Sequence, residues 1–168
     1  MSPRPGHPTG FSLIELLITL AMLSLLLALA SPGLQALRHR QALVAAGNSL
    51  ISGLHITRAA AVTGNAPARL CPSRSGEHCE AMDSWSHGWR SASERSPMQT
   101  LAHDSLPAGV QVRSSAGRQH VRYLPDGRSA GSNATLTLCS GRQYWRQIIV
   151  NNAGRARQTP IQTTPCPL

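Results

Sequence analysis

Apolar residues run almost without interruption from Phe11 to Ala30, and one charge, Glu15, sits inside the run. A stretch of about 20 such residues is long enough to span a bilayer as a helix. A carboxylate within it is costly and marks a functional position. Phe11 and Glu15 are four apart, so they share one helix face. Past Gly33 the pattern becomes amphipathic. Leu37, Val44, Ile51 and Leu54 recur at helical spacing, supported by Leu43 and Leu50, while Arg38, Arg40, Gln41, Asn48 and Arg58 take the other side. This predicts a helix to about Val62, weakened at Gly47 and Gly53 by about 1 kcal/mol each. Gly64-Asn65 and Pro67 then stop it. Anchor and helix read as one rod, bent or loosened at Pro32.

Beyond Pro67, short segments bounded by turn residues predict strands. They are Ala68–Cys71, Ser84–Arg90, Met98–His103, Gly109–Arg113, His120–Leu124, Ala134–Cys139, Trp145–Val150 and Arg155–Gln158. Pro125-Asp126-Gly127-Arg128 is a turn, because Pro presets φ and Gly accepts positive φ. Asn151–Gly154 is a hairpin loop. The fold class is α+β, one long helix with antiparallel sheet packed on its C-terminal half. The predicted divisions are a polar leader over 1–10, a transmembrane helix over 11–31, an amphipathic helix over 32–66 and a β-rich head over 67–168.

Composition sharpens the picture of the head. The net charge is +9, and all 16 basic residues are arginine. From Leu106 onward there are eight arginines (113, 118, 122, 128, 142, 146, 155 and 157) against one acid, Asp126. A guanidinium fork grips phosphate at two points, so this half suits a polyanion. Cys71, Cys79, Cys139 and Cys166 form an even set, as in an exported, disulfide-bonded domain. Three connectivities are open. Cys71–Cys79 with Cys139–Cys166 is favoured, because the first closes a short loop and the second pins the tail.

Enzymatic signals are weak. Gly127-Arg128-Ser129-Ala130-Gly131 matches G-x-S-x-G but lacks the strand, elbow and helix that motif needs. His78 and His87 lack metal-ligand spacing, and the acids are too scattered for a paired carboxylate site. No catalytic group, metal or cofactor is expected. The sequon Asn133-Ala134-Thr135 is read as chance.

Gly10-Phe11-x-x-x-Glu15 before an apolar helix resembles the class III signal of type IV pilins and type II secretion pseudopilins. That resemblance implies a prepilin peptidase that cuts after Gly10 and N-methylates Phe11. The new amine would then lie beside Glu15 of its own or a neighbouring copy. A competing reading takes Ala28-Leu29-Ala30 as an ordinary signal cleavage site, but the apolar run is longer than such signals use and carries Glu15. Arg38 and Arg40 after the span, against Arg4 before it, would put the head in the cytoplasm by charge counting. The resemblance and the cysteines argue for the opposite side.

Further segments resemble the GspH/FimT group of minor pilins and pseudopilins: Arg69-Leu70-Cys71-Pro72-Ser73, Trp85-x-x-Gly88-Trp89, Tyr123-x-Pro125-Asp126-Gly127, Thr137-Leu138-Cys139 and Gly154-Arg155-Ala156-Arg157. The resemblance implies a type IV pilin-like fold and points to the same disulfide pairing. It also implies a subunit held in the inner membrane with a periplasmic head, extracellular once assembled with other subunits. The Gly-Arg-x-Arg element is similar to that of the FimT branch, implicated in binding DNA during natural transformation. It implies double-stranded DNA as a partner and Arg155 and Arg157 as contacts.

The residues allow the same reading. On a strand, Arg155 and Arg157 point one way, Gly154 permits close phosphate approach, and amides of 151–154 add donors. Arg142 and Arg146 are secondary candidates. Tyr144 and Trp145 have the chemistry to stack on bases but fit sheet packing better. The expected function is a DNA-binding minor pilin. The alternatives are a structural pseudopilin or a subunit that primes pilus assembly.

Overall fold

The computed structural model describes residues 12–81, 84–95, 99–115, 117–129 and 131–168. Gly10 and Phe11 lie outside them. The chain divides into two compact units, one ending at Leu37 and one beginning at Arg38. Helix α1, Leu13–Thr63, runs through both without a break in its assignment.

In the first unit, Leu13–Ser31 is long and apolar enough to cross a membrane. Glu15 lies in the first helical turn, where unpaired amides favour a carboxylate. The hydroxyls of Thr19, Ser24 and Ser31 donate to the carbonyls of Leu16, Ala21 and Ala28 at 2.9, 2.8 and 3.0 Å. Polar groups in lipid must be satisfied internally, and these are. Pro32 has no N–H to offer the Ala28 carbonyl, and Ser31 bonds that oxygen instead. The helix assignment continues through Pro32.

In the second unit α1 ends in a Schellman turn. Ala66 N–H bonds Ala61 O at 3.2 Å, Asn65 N–H bonds Val62 O at 3.3 Å, and Asn65 adopts φ 45°. Among the described residues eight strands follow: β1 Ala68–Pro72, β2 Trp89–Ser93, β3 Gln99–Asp104, β4 Val110–Ser114, β5 Val121–Tyr123, β6 Ala134–Ser140, β7 Tyr144–Val150 and β8 Ala156–Gln158. The predicted strand Ser84–Arg90 is mostly irregular. Ser84 makes a lone bridge to Arg113, Trp85 is fully buried, and β2 begins only at Trp89. Met98 lies outside the described residues.

The strands form two antiparallel sheets rather than one, ordered β3-β2-β1-β5 and β4-β6-β7-β8. Opposed residues share a face. In the first sheet Val121, Leu70, Ser91 and Ala102 make one inward row. In the second, Val112 and Leu138, then Leu136 and Ile148, then Ala134 and Val150 face the core. The disulfides are Cys71–Cys79 and Cys139–Cys166, with Cα atoms 5.5 and 6.0 Å apart.

The helical stripe that enters this core is Leu43, Ala46, Leu50, Leu54 and Ala61. Leu37 and Val44, expected on that face, are 49% and 43% exposed. Between these residues, Gly47 and Gly53 stand where the sheets come close. A Cβ on Gly53 would meet the Trp89 ring at 2.9 Å, and one on Gly47 would meet Gln158 Oε1 at 2.8 Å. Trp89 Nε1–H donates to Ser49 Oγ at 2.8 Å. Thr57 Oγ1 reaches Gly53 O and Ser91 Oγ at 2.6 and 2.8 Å. The two glycines are therefore contact positions, not weak points.

Glu94 ties β1 to β5. It accepts from Arg69 Nε at 2.9 Å and pairs with Arg122 Nη2 at 2.8 Å. Burial pushes its carboxyl up, but the hydrogen bond from Arg122 and the charges of Arg69 and Arg122 outweigh that and hold it below its ordinary 4.5. A depressed carboxyl stabilises the fold above its unfolded-state value, and that contribution disappears as pH falls through the folded-state value. Glu94→Gln is expected to remove about 1–2 kcal/mol at neutral pH, discounted for the partly exposed arginines. In denaturant titrations the gap between Glu94→Gln and the native chain should close as pH is lowered through the carboxylate range. A gap independent of pH would contradict this.

Candidate functional site

The end of the head where α1 finishes is built from two loops. One, 124–133, carries the chain from β5 in the first sheet to β6 in the second. The other, 151–155, joins β7 to β8. Gly127 N–H bonds Leu124 O at 2.8 Å, which closes the predicted Pro-Asp-Gly turn. Ser129 N–H bonds Asn152 O at 3.0 Å across the two loops. Ser129 of the G-x-S-x-G match is fully buried, with its Oγ 2.9 Å from Ser132 Oγ.

Gly154 is buried with φ +74°, and a Cβ on it would stand 2.1 Å from the Gly127 carbonyl oxygen. The glycine therefore admits a neighbouring loop, where the sequence suggested room for a phosphate. Two of the amides expected as donors are also engaged: Asn151 N–H bonds Arg155 O at 3.2 Å and Gly154 N–H bonds Asn151 O at 2.9 Å; the next amide, Arg155 N–H, bonds Asn151 Oδ1 at 2.9 Å.

Arg155 lies one residue ahead of β8, and Arg157 lies within it, opposite Ile149. Both side chains are exposed. Among the described residues neither has a carboxylate partner; the ion pairs belong to Arg69, Arg74, Arg122 and Arg128. Asp126, the one acid after Leu106, is already bound to Arg128 at 2.6 Å. Hydrogen bonds from the backbone and side chain of Arg128 hold its carboxyl below the usual range.

Register carries the site further. Ile149 and Thr135 stand on the outward face with Arg157, and Arg113, Thr137 and Gln147 form the next outward row. Arg113 on edge strand β4 is exposed. It lies three strand spacings from β8, about 14 Å. Nothing in the local sequence sets Arg113 apart from other arginines; only the pairing β4-β6-β7-β8 does.

The structure does not bring Arg142 or Arg146 to this place. Arg142 is exposed in the β6–β7 turn, at the opposite end of β7, where its carbonyl receives Cys166 N–H at 3.0 Å. Arg146 stands opposite Leu138 on the inward face, beside Gly47 of α1, and donates to Thr159 O at 3.0 Å. Its Nε is buried without a partner, and desolvation pulls the guanidinium below its ordinary range. Tyr144 stacks on His39 with centroids 5.5 Å apart, and Trp145 Nε1–H bonds Thr164 Oγ1 at 3.0 Å, so both rings serve the head itself.

An apolar N-terminal helix continued into an antiparallel, disulfide-stapled head defines a pilin-like subunit. The chain belongs to the family described as Type II transport protein GspH, which matches residues 46–154. A prokaryotic N-terminal methylation motif matches residues 8–31. The family match stops just before Arg155. The chain is 26% identical to a type II secretion system protein H of Xanthomonas campestris pv. campestris, over 94% of this chain and 86% of that one. Crystal structures of the type IV minor pilin FimU of Pseudomonas aeruginosa share the fold. They align with TM-scores of 0.59 and 0.56 at 17% and 16% identity, over 72% and 68% of this chain and 90% of each of theirs. The protein is thus a minor pilin or pseudopilin, processed by prepilin peptidase, anchored in the inner membrane and associated with other pilin subunits in a fibre.

Gly154→Ala combines a left-handed φ with a backbone clash. It is expected to cost at least about 2 kcal/mol, read as a lowered denaturation midpoint. An unchanged midpoint would contradict the loop contact described above.

Proposed function

We propose that this subunit binds extracellular double-stranded DNA through Arg155 and Arg157, as a minor type IV pilin acting in DNA uptake. The observation that carries the proposal is the pair of exposed guanidiniums at the start of an edge strand, Arg155 just before β8 and Arg157 within it, with no acid partner among the described residues. Arg113 on the far edge of the same outward face extends it. Arginine contacts to phosphate position a duplex without reading its sequence. Arg142 and Arg146 are left out of the proposal, Arg142 because it lies at the opposite end of β7 and Arg146 because its guanidinium sits beside Gly47 of α1 and bonds Thr159 O. Maturation in this reading cuts between Gly10 and Phe11 and gives Glu15 a cationic partner.

The second reading is a type II secretion pseudopilin whose arginines face neighbouring subunits. The curated Xanthomonas relative favours it. Titration of the detergent-solubilised full chain against unrelated duplexes at several salt concentrations separates the two. DNA binding is expected to be independent of sequence. The Arg155→Ala/Arg157→Ala pair should lower the slope of log K against log salt by about 2, since each phosphate contact contributes about 0.9. Arg146→Met should leave binding intact. Absence of binding at low salt, or an unchanged slope in the double variant, would remove the DNA role.

A further inference from the structure

We infer that Arg58, on α1, is the positioning residue of the arginine hairpin, a role that rests on the DNA-binding reading above. Its Nε donates to Gly127 O at 2.9 Å and its Nη2 to Ala153 O at 3.5 Å. One guanidinium thus holds both loops. Gly127 belongs to the turn between the sheets, and Ala153 to the hairpin that leads into Arg155 and Arg157. Two donors in one rigid plane make this possible, and a lysine ammonium cannot reproduce it.

Both glycines are fitted to the clamp. A Cβ on Gly127 would stand 3.1 Å from Arg58 Nε, and Gly154 backs onto the same Gly127 carbonyl that Arg58 bonds. The buried ring of Tyr123 closes the other side, with Cε1 3.2 Å from the Cβ position of Gly154. Burial pushes the Tyr123 hydroxyl up to about 12, so it stays neutral beside Arg58.

The hairpin needs such a clamp. β8 has three residues and, among the described strands, pairs with β7 alone, at a sheet edge. Strands this short and one-sided hold poorly alone. Arg155 precedes even that strand. Fixing the loop to the helix presets the spacing of the two guanidiniums and lowers the ordering cost of binding.

The test uses the full chain in detergent, with Arg58→Lys and Arg58→Gln. Hydrogen exchange is read at the amides of Ser129, Gly154 and Arg155, against those of Thr137 and Leu138 in β6. The three loop amides should exchange at least about tenfold faster, with β6 and the melting midpoint close to native values. In Arg58→Lys, DNA affinity should fall about fivefold while the salt slope stays native, because the charge is kept and no phosphate contact is lost. Unchanged exchange overturns the inference. So does a slope lowered by about 1, which would make Arg58 itself a phosphate contact. Loss of the whole melting transition in both variants also overturns it, since the role would then be global stability. If Arg155→Ala/Arg157→Ala abolishes binding while both Arg58 variants bind normally, the clamp fails and the DNA reading stands. If the native chain binds no DNA, that reading fails, and positioning for DNA fails with it.

Discussion

The head depends on how closely α1 approaches the first sheet. Gly53 has no side chain, and the Trp89 ring occupies the space. One turn away, Ser49 Oγ accepts from the indole N–H and donates its own hydroxyl hydrogen bond to Asp104 Oδ2. Ser49 thereby links the start of β2 to the end of β3 through the helix. Thr57 repeats the device two turns beyond Ser49, toward Ser91. Burying a hydroxyl is expensive unless it is bonded, and each of these is bonded. The result is a polar seam within an apolar interface, which sets the depth at which the helix lies.

The second sheet is held along the same helix by different chemistry. Gly47 admits Gln158 and Arg146, and His39 Nδ1 lies 2.9 Å from Ser140 Oγ. Because both sheets meet one helix, the loop that crosses between them arrives beside the β7–β8 hairpin. The arginine-edged end is a consequence of that arrangement. Its charge is left unbalanced because the acids of the chain lie elsewhere or are already paired, as with Glu94 and Asp126.

Much of this was legible beforehand. Strand order along the chain, the Pro-Asp-Gly turn and the apolar anchor all rest on local chemistry, which a sequence carries openly. The disulfide pairs were one of three open connectivities, favoured by a short first loop, a pinned tail and the family resemblance, and they are the pairs present. What stayed hidden depended on distance in sequence. Of the expected apolar face, Leu43, Leu50 and Leu54 are buried and Ile51 packs against the core, but Leu37 and Val44 stay exposed, while Ala46 and Gly53 take contact positions that hydrophobicity alone does not mark. Arg146 looked like its exposed neighbours until register with Leu138 turned it inward. Gly154 advertised free space and was instead filled by the Gly127 carbonyl.

The claim that the helix seat is a fitted glycine–tryptophan contact is tested most directly by a double-mutant cycle on Gly53 and Trp89. Gly53→Ala in the native chain should destabilise it by about 1–2 kcal/mol, the overpacking cost exceeding the gain in helix propensity. In a Trp89→Leu background the same change should be neutral or stabilising, giving a coupling energy of about 1–3 kcal/mol. Equal effects of Gly53→Ala in both backgrounds would contradict the account.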